Sequence, residues 1–131
     1  MQDYSLYYQS IEKPFFSPPE WVFGFAWGLI YPLIAIAFVY LLFLLYKEKV
    51  KLGLVMLFIT NLIANFAFTP IQLDLQSTLL ATLDIYIVLA TLLVFQYKIY
   101  KTSKLIFILL IPYALWGTFA TVLQTTIFFM N

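Results

Sequence analysis

Asp84 is the residue best placed to do chemistry in this sequence. It stands near the middle of an otherwise apolar stretch, Ser77 to Tyr97. A carboxylate in hydrocarbon costs roughly 2.5–3.5 kcal/mol on insertion scales, so an acid kept there has a use. It can lock helices together by hydrogen bonding, take part in a ligand site, or exchange a proton. Other polar residues align around it at helical spacing. Asn61, Asn65, Thr69 and Gln72 share one face of a helix, and Ser77, Asp84 and Thr91 recur at intervals of seven. Tyr113, Gly117, Ala120 and Gln124 form a third stripe, and Glu20, Gly24, Trp27 and Tyr31 a fourth. Such stripes should not meet lipid; they either hydrogen-bond between helices or line a cavity. Trp21 lies at a helix end, where an interface anchor is expected. Trp27 and Trp116 lie deeper in their helices, where an interface belt explains them less well.

The elements that must carry these residues follow from composition. The chain has 131 residues, is 64% hydrophobic and only 10% charged, and its mean hydropathy is +0.97. A soluble domain of this size cannot bury that much apolar surface. There is no Cys and no His, which excludes thiol nucleophiles, Ser-His-Asp triads and the usual zinc or haem ligands. No metal site is expected, and a net charge of +1 argues against a nucleic-acid partner. The N-terminus lacks the charged start and apolar core of a cleaved signal peptide.

Four segments reach the length of about 20 residues that crosses a bilayer. They run from about Pro18 to Tyr46, Leu52 to Leu73, Ser77 to Tyr97 and Ser103 to Phe129. Pro18-Pro19 suits a helix start with Ser17 as its cap, and Pro32 is expected to kink the first helix. Short connections force antiparallel neighbours. The predicted fold is therefore all-α: a polytopic membrane bundle of four transmembrane helices, up-down, in residues 18–131, with residues 1–17 as an extramembrane cap. Lys47, Lys49 and Lys51 follow the first span, and Lys98, Lys101 and Lys104 the third. The positive-inside rule puts both lysine clusters in the cytoplasm and both termini outside. Gly24-x-x-x-Gly28 signals close helix packing, expected within the chain. Gly117 with Ala120 is a second close-approach surface, and a homodimer is expected.

Glu12-Lys13-Pro14, Phe16-Ser17-Pro18-Pro19-Glu20-Trp21-Val22-Phe23-Gly24, Trp27 and Tyr31 resemble a signature of the TspO/MBR family (tryptophan-rich sensory protein / translocator protein). Three further stretches agree in order and spacing: Ala64 to Pro70, Leu79 to Asp84, and Pro112 to Trp116 with Phe119-Ala120-Thr121 and Leu123. The departures are specific. Family members usually have five membrane helices, and this sequence is expected to start in what is their first extramembrane loop. Phe16, Phe66 and Phe68 replace tryptophans, Phe25 a proline and Gln124 an asparagine. Thr125 stands where the family's cholesterol-associated motif has Tyr, which argues against sterol as the main ligand.

The resemblance implies a helical membrane protein of a bacterial cell membrane with an internal pocket covered by the segment before the first span. It implies a flat hydrophobic ligand, a tetrapyrrole such as protoporphyrin IX, and no required cofactor. The protein would act as a sensor, a carrier or a light- and oxygen-dependent porphyrin-degrading protein, with Trp27 and Trp116 as candidate catalytic residues. The candidate ligand-binding residues are Trp21, Gly24, Tyr31, Asn65, Phe68, Asp84, Tyr113, Ala120 and Gln124. Aromatic walls stack on a flat macrocycle, and Asn65, Gln124 and Tyr113 can offer donors to its propionates. Two other readings stand beside this one: a small proton-coupled exporter of hydrophobic compounds using Asp84, and an interaction protein whose fifth helix comes from another chain.

Overall fold

A computed structural model describes residues 15–73 and 78–130. Five helices are present among them: α1 Glu20–Tyr46, α2 Leu52–Leu73, α3 Thr78–Ile99, α4 Lys104–Leu109 and α5 Ile111–Met130. Side-chain contacts pair ascending with descending numbers across each interface. Tyr31 meets Asn65 and Phe38 meets Phe58 between α1 and α2. Asn61 meets Thr91 and Phe58 meets Phe95 between α2 and α3. Thr82 meets Gln124, and Leu89 lies against Gly117, between α3 and α5. The helices therefore alternate in direction, and both lysine clusters close the same end. α1 and α3 are long and apolar enough to cross a membrane, while α2 contributes the shorter apolar run Leu52–Phe68.

α1 joins the bundle through an apolar seam rather than through its polar stripe. Trp27, Ile30, Ile34, Ala37, Leu41 and Leu44 follow one another at steps of three and four, and the last five are buried. A 3.5-residue repeat keeps one narrow edge on the neighbouring helices. Gly24 and Gly28 are offset from that edge and lie exposed. A Cβ at either would meet nothing within 4 Å, so the expected close packing within the chain does not occur there among the described residues. The start of α1 also differs from expectation: Pro19 is the N-cap residue, with φ −57° and ψ 150° and no side-chain cap. The helix then continues through Pro32.

The last span is not one helix. Pro112 has no N–H for the carbonyl four residues back, so the ladder loses a rung; Pro32 and Pro70 leave α1 and α2 continuous, but here the helix breaks at Leu110. The backbone N–H of Leu110 instead shares the carbonyls of Ile106 (3.2 Å) and Phe107 (3.3 Å), and the ladder resumes with Ala114 N–H on Leu110 O at 2.9 Å. The Phe107 carbonyl gains a donor from across the bundle, the buried Gln96 Nε2 at 3.3 Å. Ser103 caps α4, its hydroxyl accepting from Ile106 N–H at 3.2 Å.

Exposed hydroxyls need partners in lipid, where water cannot supply them. Thr60, Thr118 and Thr126 each donate to the carbonyl four residues earlier, at 2.8–2.9 Å. The apolar core lies towards the lysine end, around Leu41, Phe58, Leu92, Phe95, Ile99, Ile106 and Leu110. The polar interior sits above it.

Candidate functional site

The polar interior is a continuous chain of hydrogen bonds across α1, α2, α5 and α3. The Tyr31 hydroxyl donates to Asn65 Oδ1 at 2.9 Å. Asn65 Nδ2 donates to the Tyr113 hydroxyl at 2.8 Å, and Tyr113 donates to Asn61 Oδ1 at 2.9 Å. Asn61 Nδ2 ends the chain on Val88 O (2.8 Å) and Thr91 Oγ1 (3.0 Å). Asn61, Asn65 and Tyr113 are buried at 0%, 7% and 1% exposure, whereas Tyr31 is 38% exposed. The four-residue spacing of Asn61 and Asn65 aims both amides at the one phenol of Tyr113.

Beside this chain runs an aromatic seam between α1 and α5. Trp27 stacks on Tyr31 with centroids 5.0 Å apart and planes 24° apart, and meets Tyr113 edge-on at 6.2 Å. One turn further, Phe23 meets Trp116 edge-on at 5.6 Å, and Phe119 lies 5.4 Å from Trp116. Spacings of four on α1 and three on α5 set these two rungs side by side. Phe66 extends the wall, 5.9 Å from Tyr31.

Of the sequence-derived candidates, Trp27, Tyr31, Asn65, Tyr113 and Trp116 come together here. Phe68 and Ala120 are half-buried and pack on the core nearby. Asp84 and Gln124 are buried on the α3–α5 side, with Gln124 Nε2 on Thr82 Oγ1 at 3.4 Å. Trp21 and Gly24 do not join them: Trp21 is 69% exposed, and Gly24 shares the outward face of α1. Phe16, at the end of the expected cap, touches Phe119 edge-on at 6.3 Å. Residues 1–14 of that cap, the Asp74 turn, Ser77 and the side chains of Glu20, Thr69 and Gln72 lie outside the described residues.

The donors expected for a ligand are mostly engaged. The only hydroxyl hydrogen of Tyr113 goes to Asn61, and an amide hydrogen of Asn65 goes to Tyr113. Two buried atoms stand out in the opposite sense: Asp84 Oδ2 and Trp116 Nε1 have no hydrogen-bond partner among the described residues. Buried polar atoms are nearly always paired, so these two are the free side-chain valences among the described residues. Sequence periodicity placed Asn61 in a stripe without marking it as a site residue, and it did not find Phe23, whose apolar type looks like any other in such a helix.

Fold and interior together define an all-α membrane bundle with an aromatic wall and an internal amide–phenol chain. Comparison with known proteins agrees. The sequence profile of the TspO/MBR family matches residues 1–130. The tryptophan-rich protein TspO of Bacillus cereus is 37% identical over 125 residues, covering 95% of this chain and 80% of that protein. The tryptophan-rich protein TspO of Archaeoglobus fulgidus is 36% identical over 137 residues, covering 99% and 83%. The human translocator protein is 31% identical over 126 residues, covering 90% and 70%. The chain belongs to the TspO/MBR family and is a polytopic helical membrane protein.

Proposed function

We propose that this protein binds a flat tetrapyrrole of the protoporphyrin IX type in the seam between α1 and α5, as the membrane receptor or carrier for it. The observation that carries this reading is the pair of adjacent aromatic rungs, Trp27–Tyr113 and Phe23–Trp116, beside a half-exposed phenol. Aromatic pairs contribute about 0.5–1.5 kcal/mol beyond their buried area, and a macrocycle offers several such contacts at once. Trp27 and Trp116 are the residues assigned to any light- and oxygen-dependent loss of the ligand. Four spans cross the membrane, with the lysine end in the cytoplasm; the clustering of six lysines at one end supports this orientation. The protein works as a homodimer.

Titration of the detergent-purified protein with protoporphyrin IX in the dark tests the reading. Saturable quenching of tryptophan fluorescence is expected. Trp27→Phe and Trp116→Phe keep apolar bulk and should each remove part of the quenching, with exposed Trp21 as the residual emitter. The double variant should still bind porphyrin, followed by porphyrin absorbance, but stop bleaching it under light. A wild-type protein that shows no saturable response rejects the assignment.

The unpartnered Oδ2 of Asp84 favours one alternative, a proton-coupled exporter of hydrophobic cations. The two readings separate in cells. Under the tetrapyrrole reading, wild type and Asp84→Asn give equal tolerance to cationic dyes. Protection by wild type that the Asn variant loses would favour export.

A further inference from the structure

The direction of the internal hydrogen-bond chain is determined, and it decides what the exposed end can offer. A backbone carbonyl can only accept. Asn61 sits 2.8 Å from Val88 O, so the atom facing it must be the amide nitrogen. Reversing that amide would set two oxygens without a hydrogen against each other. Thr91 agrees, because its own hydroxyl hydrogen is directed to Ile87 O at 2.7 Å. Asn61 Oδ1 must then face Tyr113, whose single hydrogen is spent on it. Tyr113 can only accept from Asn65, so Asn65 turns its Nδ2 inward and its Oδ1 towards Tyr31. Tyr31 in turn has no choice but to donate inward.

The outer end of the chain is therefore a phenol whose hydrogen is committed and whose oxygen accepts no bond among the described residues. Each donated bond polarises the next, so this oxygen is a stronger acceptor than an isolated tyrosine. Tyr31 is the one half-exposed member, and it lies against the Trp27 ring at 5.0 Å. Nothing in the chain lets it donate to a carboxylate without leaving Asn65 Oδ1 unpaired inside the bundle.

We infer that Tyr31 is a specificity-determining acceptor, selecting a ligand that brings a hydrogen-bond donor to this point. For the tetrapyrrole reading, on which this inference rests, the donor is a protonated carboxyl group. The ligand enters as the neutral acid, which a low-dielectric site also favours over the carboxylate. Val88 O, through Asn61, Tyr113 and Asn65, is the positioning group that fixes this preference.

The test compares protoporphyrin IX with its dimethyl ester, which has the same ring and no carboxyl hydrogen. Tyr31→Phe keeps the ring against Trp27 and removes only the hydroxyl. Binding of the acid should weaken about three- to tenfold, the effect of one lost hydrogen bond, while the ester is unaffected. Binding of the acid to wild type should also take up a proton from weakly buffered solution. The ester titration subtracts any proton taken up by Asp84, Tyr31 or Tyr113. Equal weakening of acid and ester in Tyr31→Phe, no change in either, or acid binding without proton uptake would each overturn the inference while leaving the tetrapyrrole reading intact. If neither compound binds the wild type, that reading falls and the inference with it.

Discussion

Tyr113 shows how a single residue can hold three helices by hydrogen bonds that no single helix could satisfy. Its hydroxyl accepts from Asn65 and donates to Asn61, and through Asn61 it reaches Val88 and Thr91. Two estimates compete for the effect of removing it. Orphaning buried groups costs about 1–3 kcal/mol each in a water-soluble protein. Polar contacts between membrane helices average only about 0.6 kcal/mol, because an unfolded chain in lipid finds other partners. The second setting applies here, and two bonds are lost. Tyr113→Phe is therefore expected to destabilise the protein by about 1–2 kcal/mol, read from unfolding in mixed detergent micelles. A cost well above that range would mean the chain acts cooperatively. Four-residue spacing made the asparagine pair legible in the sequence as a polar face. Its partners were not legible, because which helix faces another, and at what height, depends on packing between segments far apart in the chain. Trp21 and Gly24 failed to join the site for the same reason: being near Trp27 in sequence does not place them on the edge that α1 turns inward.

At the level of elements, helix boundaries depend on a few local bonds. The turn after α1 closes with Glu48 N–H on Leu45 O (3.0 Å) and Lys49 N–H on Leu44 O (2.9 Å). This is the two-bond reverse closure that normally places glycine at its left-handed position. Glu48 occupies that position with φ 59°. A left-handed conformation costs a side-chain-bearing residue about 1–2 kcal/mol, partly offset by the chain entropy that glycine loses on folding. Glu48→Gly should thus stabilise by about 0.5–1 kcal/mol, whereas Ser103→Ala should destabilise by about 1 kcal/mol through loss of the α4 cap. Thermal unfolding of the two variants should shift in opposite directions. Element existence was legible, since long apolar runs and short polar links mark α1, α2, α3 and the helical stretch from Lys104 onward. The split of the last span was written in Pro112, yet its location at Leu110 depends on where the carbonyls of Ile106 and Phe107 find donors, one of them from Gln96 on another helix.

For the whole molecule, the outward face of α1 is a surface without a partner among the described residues. Gly24, Gly28 and Pro32 recur every four residues and are all exposed. Pro32 has no N–H, so the Gly28 carbonyl lacks its α-helical donor. Further along the same outward side, Ala35, Ile36, Val39, Tyr40 and Phe43 line an apolar recess of about 640 Å³. Lipid tails are as apolar as leucine, so hydrophobicity alone brings nothing to this face. Small residues allow close backbone approach, and a free carbonyl in hydrocarbon favours a helix that can bring a donor to it. A second copy meeting the first along α1 gives that close approach, since the same glycine step then faces itself across a two-fold axis. Gly24→Leu and Gly28→Leu should each fit within the monomer, because nothing lies within 4 Å of either Cβ among the described residues. Both should block close approach between copies. Cross-linking in native membranes is therefore expected to trap a dimer of the wild type that persists on dilution with lipid, and to trap mostly monomer in either variant. Porphyrin binding should survive in those monomers, because the Trp27–Tyr113 and Phe23–Trp116 rungs lie on the inward edge of the same helix. Dimers that persist undiminished in both glycine variants would move the contact elsewhere, with Gly117 and Ala120 on α5 as the other small-residue surface.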